Sequence, residues 1–283
     1  MHMFYNTKNL YIRNHLLMIL VFFIFIILTI WWLILNPFLN SESTSIIHDK
    51  YIWGSFYQIL ALLGGIIGVI ISKNFGGFKS QLGRSILYFS IGLFLQSFGQ
   101  SVYSYFNLFA QIQAPYPSIG DIGYFGSVIL YILGVMSLAK ISGAKISLKL
   151  FRGKIQAILL PLIMLIGSYS MFLKNYEFDW ANKLKIFLDF GYPLGQAFYV
   201  SLAILTLILT RNILGGIMKK PIILFLISLI AQYIADSYFL FQANNGSWYV
   251  GGIGDFLYVI SYFLMTISII QTGYVLRSLK ETN

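Results

Sequence analysis

Three aspartates in strongly apolar surroundings are the residues of this 283-residue chain best suited to chemistry: Asp121, Asp236 and Asp255. A carboxylate at membrane depth costs about 2.5–3.5 kcal/mol, so it needs a partner or a function. Asp121 lies three residues after Ser118, and Asp255 follows Gly251-Gly252, in patterns that cap helix starts. Capping alone is therefore the alternative for these two. Asp236 has no such pattern, and we expect it to bind a ligand or a proton, with interhelical hydrogen bonding as the alternative.

Polar side chains surround these aspartates in two matching stretches of the chain. Each stretch has a Gln, then a Gln or Asp four residues later, then a loop, then Ile-Gly-Asp-x-x-Tyr. The stretches run over residues 96–124 and 232–258, and Phe56-Tyr57 and Phe198-Tyr199 give a weaker echo. The match predicts a 4+4 duplication with parallel halves, and chance coincidence within a restricted residue alphabet is the alternative.

The polar groups fall at one depth if the surrounding segments are membrane helices. Asp236 lies 15 residues into its segment, about 22 Å at 1.5 Å per residue. Polar groups in lipid turn towards the bundle interior or a wet cavity, so this depth predicts an outward-facing pocket. Glutamine as a bond between helices is the alternative. Tyr192-Pro193 interrupts the predicted sixth span at the same depth, either as a break that frees backbone carbonyls or merely as a kink. The candidate ligand-binding residues are Asp236, Gln100, Gln96, Gln232, Asp121, Tyr124, Asp255, Tyr258, Gln196 and Gln58.

The elements that must position these residues are long apolar runs. The chain is 58% hydrophobic and 10% charged, with mean hydropathy +0.78, whereas soluble domains carry about 25% charged residues. We expect an all-α, polytopic membrane protein with eight transmembrane helices. The single membrane domain then consists of a cytoplasmic N-terminus (1–15), two four-helix halves (16–143 and 155–275) and a cytoplasmic tail (276–283). The predicted spans are 16–36, 52–72, 85–109, 120–140, 155–173, 188–210, 221–242 and 253–275.

The basic residues predict the orientation of these spans. Fifteen of the 19 Lys and Arg residues fall on one side of the predicted membrane. The positive-inside rule places that side, with both termini, in the cytoplasm. The basic loops are expected to bind anionic lipid headgroups rather than nucleic acid. The fifteen are Lys8, Arg13, Lys73, Lys79, Arg84, Lys140, Lys145, Lys149, Arg152, Lys154, Arg211, Lys219, Lys220, Arg277 and Lys280; the opposite side holds Lys50, Lys174, Lys183 and Lys185, with Glu42, Asp49, Glu177 and Asp179.

Sequence signals for catalysis or cofactors are weak. The chain has no cysteine, which excludes disulfides and thiolate chemistry. His2, His15 and His48 do not have the spacing of a metal site. We therefore predict no catalytic residue, no metal site and no cofactor, and we do not expect an enzyme.

Several short motifs resemble those of a known family. They are Pro115-Tyr116-Pro117-Ser118-x-x-Asp121-x-x-Tyr124, Tyr192-Pro193-Leu194-Gly195-Gln196, Ala235-Asp236 and Gly254-Asp255. Over about residues 85–275 the chain resembles the eight-helix membrane sensor region found before the output domains of bacterial diguanylate cyclases and sensor kinases. The family usually has Asp in place of Gln196 and an aromatic-rich turn in place of Phe98-Gly99-Gln100. No output domain follows in this sequence, so the resemblance implies a sensor that signals through a separate partner.

We expect a multi-pass protein of the prokaryotic plasma membrane that binds a small molecule or lipid in an outward-facing polar pocket. A small transporter or proton-coupled permease, with Asp236 as the coupling residue, is one alternative. An intramembrane enzyme acting on lipid is the other.

Overall fold

The computed structural model describes residues 2–35, 44–112, 114–210 and 216–281, with side chains for 13–35, 48–112, 114–210 and 216–275. Among the charged residues counted above, Glu42 and Arg211 lie outside the described residues, as do the side chains of Lys8, Arg277 and Lys280. The described part contains ten α-helices: α1 (His2–Leu35), α2 (Thr44–Phe56), α3 (Ile59–Asn74), α4 (Gln81–Tyr105), α5 (Gly120–Ile141), α6 (Ala144–Ser147), α7 (Phe151–Phe172), α8 (Lys183–Thr210), α9 (Lys219–Asn244) and α10 (Ile253–Glu281).

The prediction of an all-α fold with long apolar helices is confirmed for the described residues. Seven helical segments are long and apolar enough to cross a membrane: Arg13–Leu35, His48–Asn74, Gly120–Ile141, Phe151–Phe172, Lys183–Thr210, Lys219–Asn244 and Ile253–Val275. The eighth predicted span, 85–109, overlaps α4. This helix has 25 residues but is less apolar, because Gln96, Gln100 and several serines interrupt its apolar run. A π-helical turn, Phe106–Ala110, follows it directly.

Two predicted spans differ in continuity. The second lies within the apolar segment His48–Asn74, where a short turn separates α2, which ends at Phe56, from α3, which begins at Ile59. In the sixth, the proline break considered at Tyr192-Pro193 is absent, because α8 runs through Pro193. The carbonyl oxygen of Pro193 accepts a hydrogen bond from the Ser168 hydroxyl of α7 (2.8 Å). Proline is tolerated within membrane helices when neighbouring helices supply partners for the backbone.

Six helices form a closed ring. Each packs against the next in the order α3, α4, α5, α8, α9, α10, and α10 packs against α3. Glycines permit the closest approaches: a methyl group at Gly64 would clash with Thr266 of α10, and one at Gly68 would clash with Ser90 of α4. Outside the ring, α1 packs on α10 and α7 packs on α8. These two helices keep most of their side chains exposed, as expected of helices that face lipid.

The ring has two chemically different ends. At one end, here called the basic end, lie the connections 75–80 and 142–150, with Lys73, Lys79, Arg84, Lys140, Lys145, Lys149 and Arg152. At the other end, here called the cavity end, lie the connections 111–119, 173–182 and 245–252. The Trp32 indole, near the C-terminal end of α1, donates to the Gly251 carbonyl oxygen (2.9 Å). This bond attaches the C-terminal end of α1 to the cavity end of the ring.

Candidate functional site

Asp236 accepts three side-chain hydrogen bonds, one each from α8, α9 and α10. Its Oδ2 accepts a hydrogen bond from the Tyr199 hydroxyl of α8 (2.8 Å), and its Oδ1 accepts from the Tyr258 hydroxyl of α10 (2.9 Å). The Gln232 amide, one turn earlier on α9, also donates to Oδ1 (3.0 Å). Two of the three donors are thus tyrosine hydroxyls from neighbouring helices. Gln96 and Gln100 of α4 bind different groups.

The two glutamines of α4 join that helix to its neighbours. Gln96 accepts from the Tyr262 hydroxyl of α10 (2.8 Å) and donates to the Ser127 hydroxyl oxygen of α5 (2.7 Å). Gln100 accepts from the Tyr124 hydroxyl of α5 (2.6 Å) and donates to the Gly54 carbonyl oxygen of α2 (2.9 Å). Both therefore serve as interhelical bonds, which was the alternative to ligand binding for these residues.

The hydrogen bonds of α4 with α5 are repeated between α9 and α10. Tyr124 bonds Gln100 as Tyr258 bonds Asp236. One helical turn deeper, Gln96 is joined to the Ser127 hydroxyl (2.7 Å). In the second half of the chain, Gln232 pairs with the corresponding serine, but here the Ser261 hydroxyl donates to the Gln232 amide oxygen (2.7 Å). Residues that share a place in the two sequence stretches thus also share a hydrogen-bonding partner.

Asp121 and Asp255 cap helix starts and also face the interior. Oδ2 of Asp121 accepts from the Ser118 backbone N–H (2.7 Å), and Oδ2 of Asp255 accepts from the Gly251 backbone N–H (2.7 Å). The predicted capping is thus present in both. In addition, the Tyr192 hydroxyl of α8 donates to Oδ1 of Asp121 (2.8 Å).

A cavity of about 610 Å³ lies between the helices at the cavity end, within the usual size range of small-molecule sites. Its wall includes the four carboxylates of Asp121, Asp189, Asp236 and Asp255, and Lys185 is the only basic side chain among the lining residues that the structure describes. Eight tyrosines also line it: Tyr57, Tyr103, Tyr116, Tyr124, Tyr176, Tyr192, Tyr258 and Tyr262.

Two connections are tied together over the cavity by one residue. The hydroxyls of Tyr116, before α5, and Tyr176, after α7, donate to the two carboxylate oxygens of Asp189 on α8 (2.7 and 2.6 Å). Burial and the bond to Asp189 raise the pKa of the Tyr176 phenol to about 12, and the same causes raise the pKa of Tyr116. Both phenols therefore remain neutral donors at physiological pH. We call Tyr116, Tyr176 and Asp189 the rim cluster.

Packed rings lie deeper in the helix ring than the cavity, and none of the four is among its lining residues. Phe89 and Phe225 stack with ring centroids 4.7 Å apart, and Tyr131 lies edge-on to Tyr199 at 6.0 Å. All four side chains are at most 1% exposed. We call Phe89, Tyr131, Tyr199 and Phe225 the aromatic floor. Tyr199 also donates to Asp236, so the carboxylate lies directly on this floor.

Eight of the ten predicted ligand-binding residues line the cavity: Gln96, Gln100, Asp121, Tyr124, Gln196, Asp236, Asp255 and Tyr258. Gln232 is not among the lining residues and contacts Asp236 from the side. Gln58 does not line it either; it lies at the α2–α3 break and accepts from the Ser101 hydroxyl (2.8 Å). The ligand-binding roles of all ten residues stay predictions.

Sequence reasoning overlooked most of the tyrosine partners, among them Tyr57, Tyr199 and Tyr262. The chain has 20 tyrosines, and a single sequence does not show which of them point inward. The weak echo of Phe56-Tyr57 in Phe198-Tyr199 was the one available signal. Both tyrosines prove to be buried, with Tyr57 beside Asp255 and Tyr199 bonded to Asp236.

The side chains around the cavity are suited to binding a polar organic molecule. The residues that the structure describes include no group of three or more His, Asp or Glu side chains placed to hold a metal ion. The carboxylates are instead surrounded by phenols, amides and aromatic rings, which can orient a polar organic molecule.

Comparison of the chain with models of known protein families, with curated proteins and with solved structures found no match.

Proposed function

We propose that this protein is a membrane receptor of sensor type that binds a small molecule or lipid in the cavity and signals through a separate partner. The observation that carries the proposal is a polar cavity at one end of the helix ring with an aromatic floor beneath it. Such a cavity can bind a molecule from one side of the membrane without giving it a path to the other.

The charge distribution supports an outward-facing cavity. Described basic residues concentrate at the opposite end of the ring, and the positive-inside rule assigns that end to the cytoplasm. With α4 as an eighth span, about 37 Å long at 1.5 Å per residue, both termini also lie in the cytoplasm. The proposed location is the plasma membrane of a prokaryote, with anionic headgroups at the basic end.

The paired hydrogen bonds support a duplication. Because Gln100–Tyr124 and Asp236–Tyr258 occupy the same places in the two sequence stretches, one ancestral pair explains both. The ring order also repeats, since α3, α4 and α5 follow one another as α8, α9 and α10 do. In this view the second half kept or gained a carboxylate where the first half has an amide, so the site is asymmetric.

The aromatic floor favours a receptor over a transporter. A transporter must open its site to both sides, and here that would separate the stacked rings of Phe89 and Phe225. Four apolar side chains of the described core beneath Asp236, those of Phe89, Leu93, Phe225 and Leu229, are fully or almost fully buried and would have to move apart to open such a route.

Labelling of introduced cysteines tests the proposal. Because the chain has no native cysteine, only the introduced thiol can react. Leu240 lines the cavity one turn above Asp236, and Ser228 lies two turns below it on the same helix and is fully buried. In intact cells, we expect a membrane-impermeant thiol reagent to label Leu240→Cys and to leave Ser228→Cys unlabelled. Lys149→Cys, at the basic end, should react only after the membrane is permeabilised.

Labelling of Lys149→Cys in intact cells, or no labelling of Leu240→Cys from outside, contradicts an outward-facing cavity. Labelling of both Leu240→Cys and Ser228→Cys from outside shows a continuous path past the aromatic floor and favours the transporter.

A further inference from the structure

The cavity wall contains hydrogen-bond acceptors that the described protein leaves unused. The hydroxyls of Tyr192 and Tyr258 already donate to carboxylates within the protein. By contrast, Oε1 of Gln196 has no hydrogen-bond partner within the described chain, although this side chain is only 5% exposed and lines the cavity. Oδ2 of Asp236 accepts one bond, from Tyr199, and keeps a lone pair. Trp248 is the one lining residue with an unpartnered buried donor. A molecule that fills the cavity should therefore bring donors.

The charges of the lining residues also favour a ligand that brings donors. Four carboxylates face one ammonium, that of Lys185. The hydrogen bonds to Asp121 and Asp236 come from neutral groups, namely phenols, an amide, a hydroxyl and a backbone N–H. Neutral donors orient a carboxylate without cancelling its charge. A cation is thus the complementary ligand.

Aromatic faces line the same part of the cavity. The rings of Tyr57 and Tyr258 lie 6.2 and 6.0 Å from the ring of Tyr262, and all three line the wall beside Asp236 and Asp255. Aromatic faces attract organic cations, the more strongly when water is excluded. Carboxylates with aromatic walls are therefore a combination that favours organic cations over neutral or acidic molecules.

The geometry points to a ligand with a protonated primary amine, bound with its ammonium group between Asp236 and the amide oxygen of Gln196. This inference rests on the proposed receptor function. The ammonium can belong to a free amine or to the headgroup of an aminolipid, because both present three N–H donors and one positive charge.

The test measures protection of the Leu240→Cys protein, purified in nanodiscs, against a thiol reagent. The probes are primary amines of graded length, each compared with the alcohol and the carboxylic acid of the same skeleton. For example, 2-phenylethylamine is compared with 2-phenylethanol and phenylacetate. A second arm omits the probes and compares discs of phosphatidylethanolamine with discs of phosphatidylcholine.

We expect amines to slow labelling where the matched alcohols and acids do not. Asp236→Asn and Gln196→Met should each weaken protection on the order of tenfold, since each removes a partner of the ammonium. Ser237→Ala is the matched control, because the Ser237 hydroxyl has no hydrogen-bond partner among the described residues, and its loss should leave protection unchanged. Thermal melting of each variant establishes that it is folded; if Asp236→Asn does not fold, Gln196→Met decides.

Protection by free amines assigns the site to a soluble cation, and slower labelling only in phosphatidylethanolamine discs assigns it to an aminolipid; either result supports the inference. Protection by alcohols or acids as strong as by amines overturns it, as does labelling that no amine and no aminolipid slows. In both of these cases the receptor proposal stands if Leu240→Cys is labelled from outside the cell, and it fails separately if that residue is not.

Discussion

The Tyr258 hydroxyl donates to Oδ1 of Asp236 across 2.9 Å, joining α10 to α9 at the base of the cavity. Tyr124 and Gln100 form the corresponding bond between α5 and α4 at 2.6 Å. The difference between them is one charge. One pair has an amide acceptor and the other a carboxylate, so two corresponding hydrogen bonds differ in charge.

Substitutions of Asp236 should distinguish the effect of its charge on stability from the effect of its hydrogen bonds. Asp236→Asn keeps one of the two acceptor oxygens, and its NH2 group can donate to the oxygen of the phenol that loses its acceptor, so this variant should leave the fold intact. Asp236→Leu leaves both phenols and the Gln232 amide without that acceptor and should destabilise by roughly 1–3 kcal/mol. Thermal unfolding in detergent measures both, with Ser237→Ala as a neutral control. A Leu variant as stable as the parent would remove the structural role assigned to this carboxylate.

The rim cluster should restrict access to the cavity. Tyr116 and Tyr176 hold their two connections to Asp189. The double variant Tyr116→Phe/Tyr176→Phe, built on Leu240→Cys, should react faster with a bulky thiol reagent, because both tethers are lost. Tyr105→Phe, an exposed tyrosine near the same end, serves as the control. Equal rates in the double variant and the control would show that the rim does not gate access.

The Tyr176 tether should fail at high pH. Its folded-state pKa is raised to about 12, by burial first and then by the bond to Asp189, whereas an ordinary tyrosine titrates near 10. A raised pKa gives stability that is fully present below about pH 10 and is lost as pH rises through about 12. The melting-temperature difference between the parent and Tyr176→Phe should therefore be constant up to about pH 10 and then shrink. A difference that grows with alkalinity contradicts this assignment.

Close packing of α4 and α5 should depend on Gly123. A methyl group there would clash with the Leu95 carbonyl oxygen and lie 2.8 Å from the Gly99 nitrogen. Because backbone atoms cannot move aside as side chains do, Gly123→Ala should destabilise by roughly 1–3 kcal/mol. Gly167→Ala, in α7 with open space around it, should be neutral or slightly stabilising. Melting temperatures that fall equally in both variants would argue against a specific contact.

Reporter fusions test the membrane topology. A reporter fused after Lys149 should lie in the cytoplasm, and one fused after Asn245 should lie outside, because the basic end obeys the positive-inside rule. A pair of reporters, one active only in the cytoplasm and one only outside it, gives reciprocal signals at each position. The same compartment at both positions would rule out the eight-span arrangement.

The sequence predicted those features that depend on local composition and spacing. Apolar runs predicted the long helices. The spacing of Asp121 from Ser118 and of Asp255 from Gly251 predicted the capping bonds, in which each carboxylate accepts from a backbone N–H before its helix. A residue count also placed most of the polar candidates at one depth, and the structure places eight of them around one cavity. Each of these follows from helix geometry and from the cost of polar groups in lipid, which act along a single segment.

Only the tertiary structure decided which groups meet. The bond from Tyr199 to Asp236, the convergence of Tyr116 and Tyr176 on Asp189, and the unpaired oxygen of Gln196 depend on how far each helix is rotated and where it crosses its neighbour. Rotation and crossing are set by contacts between residues far apart in the chain, such as the approach of Gly64 to Thr266. Hydrophobicity along one helix carries no record of those contacts, so the sequence identified the polar residues but not their partners.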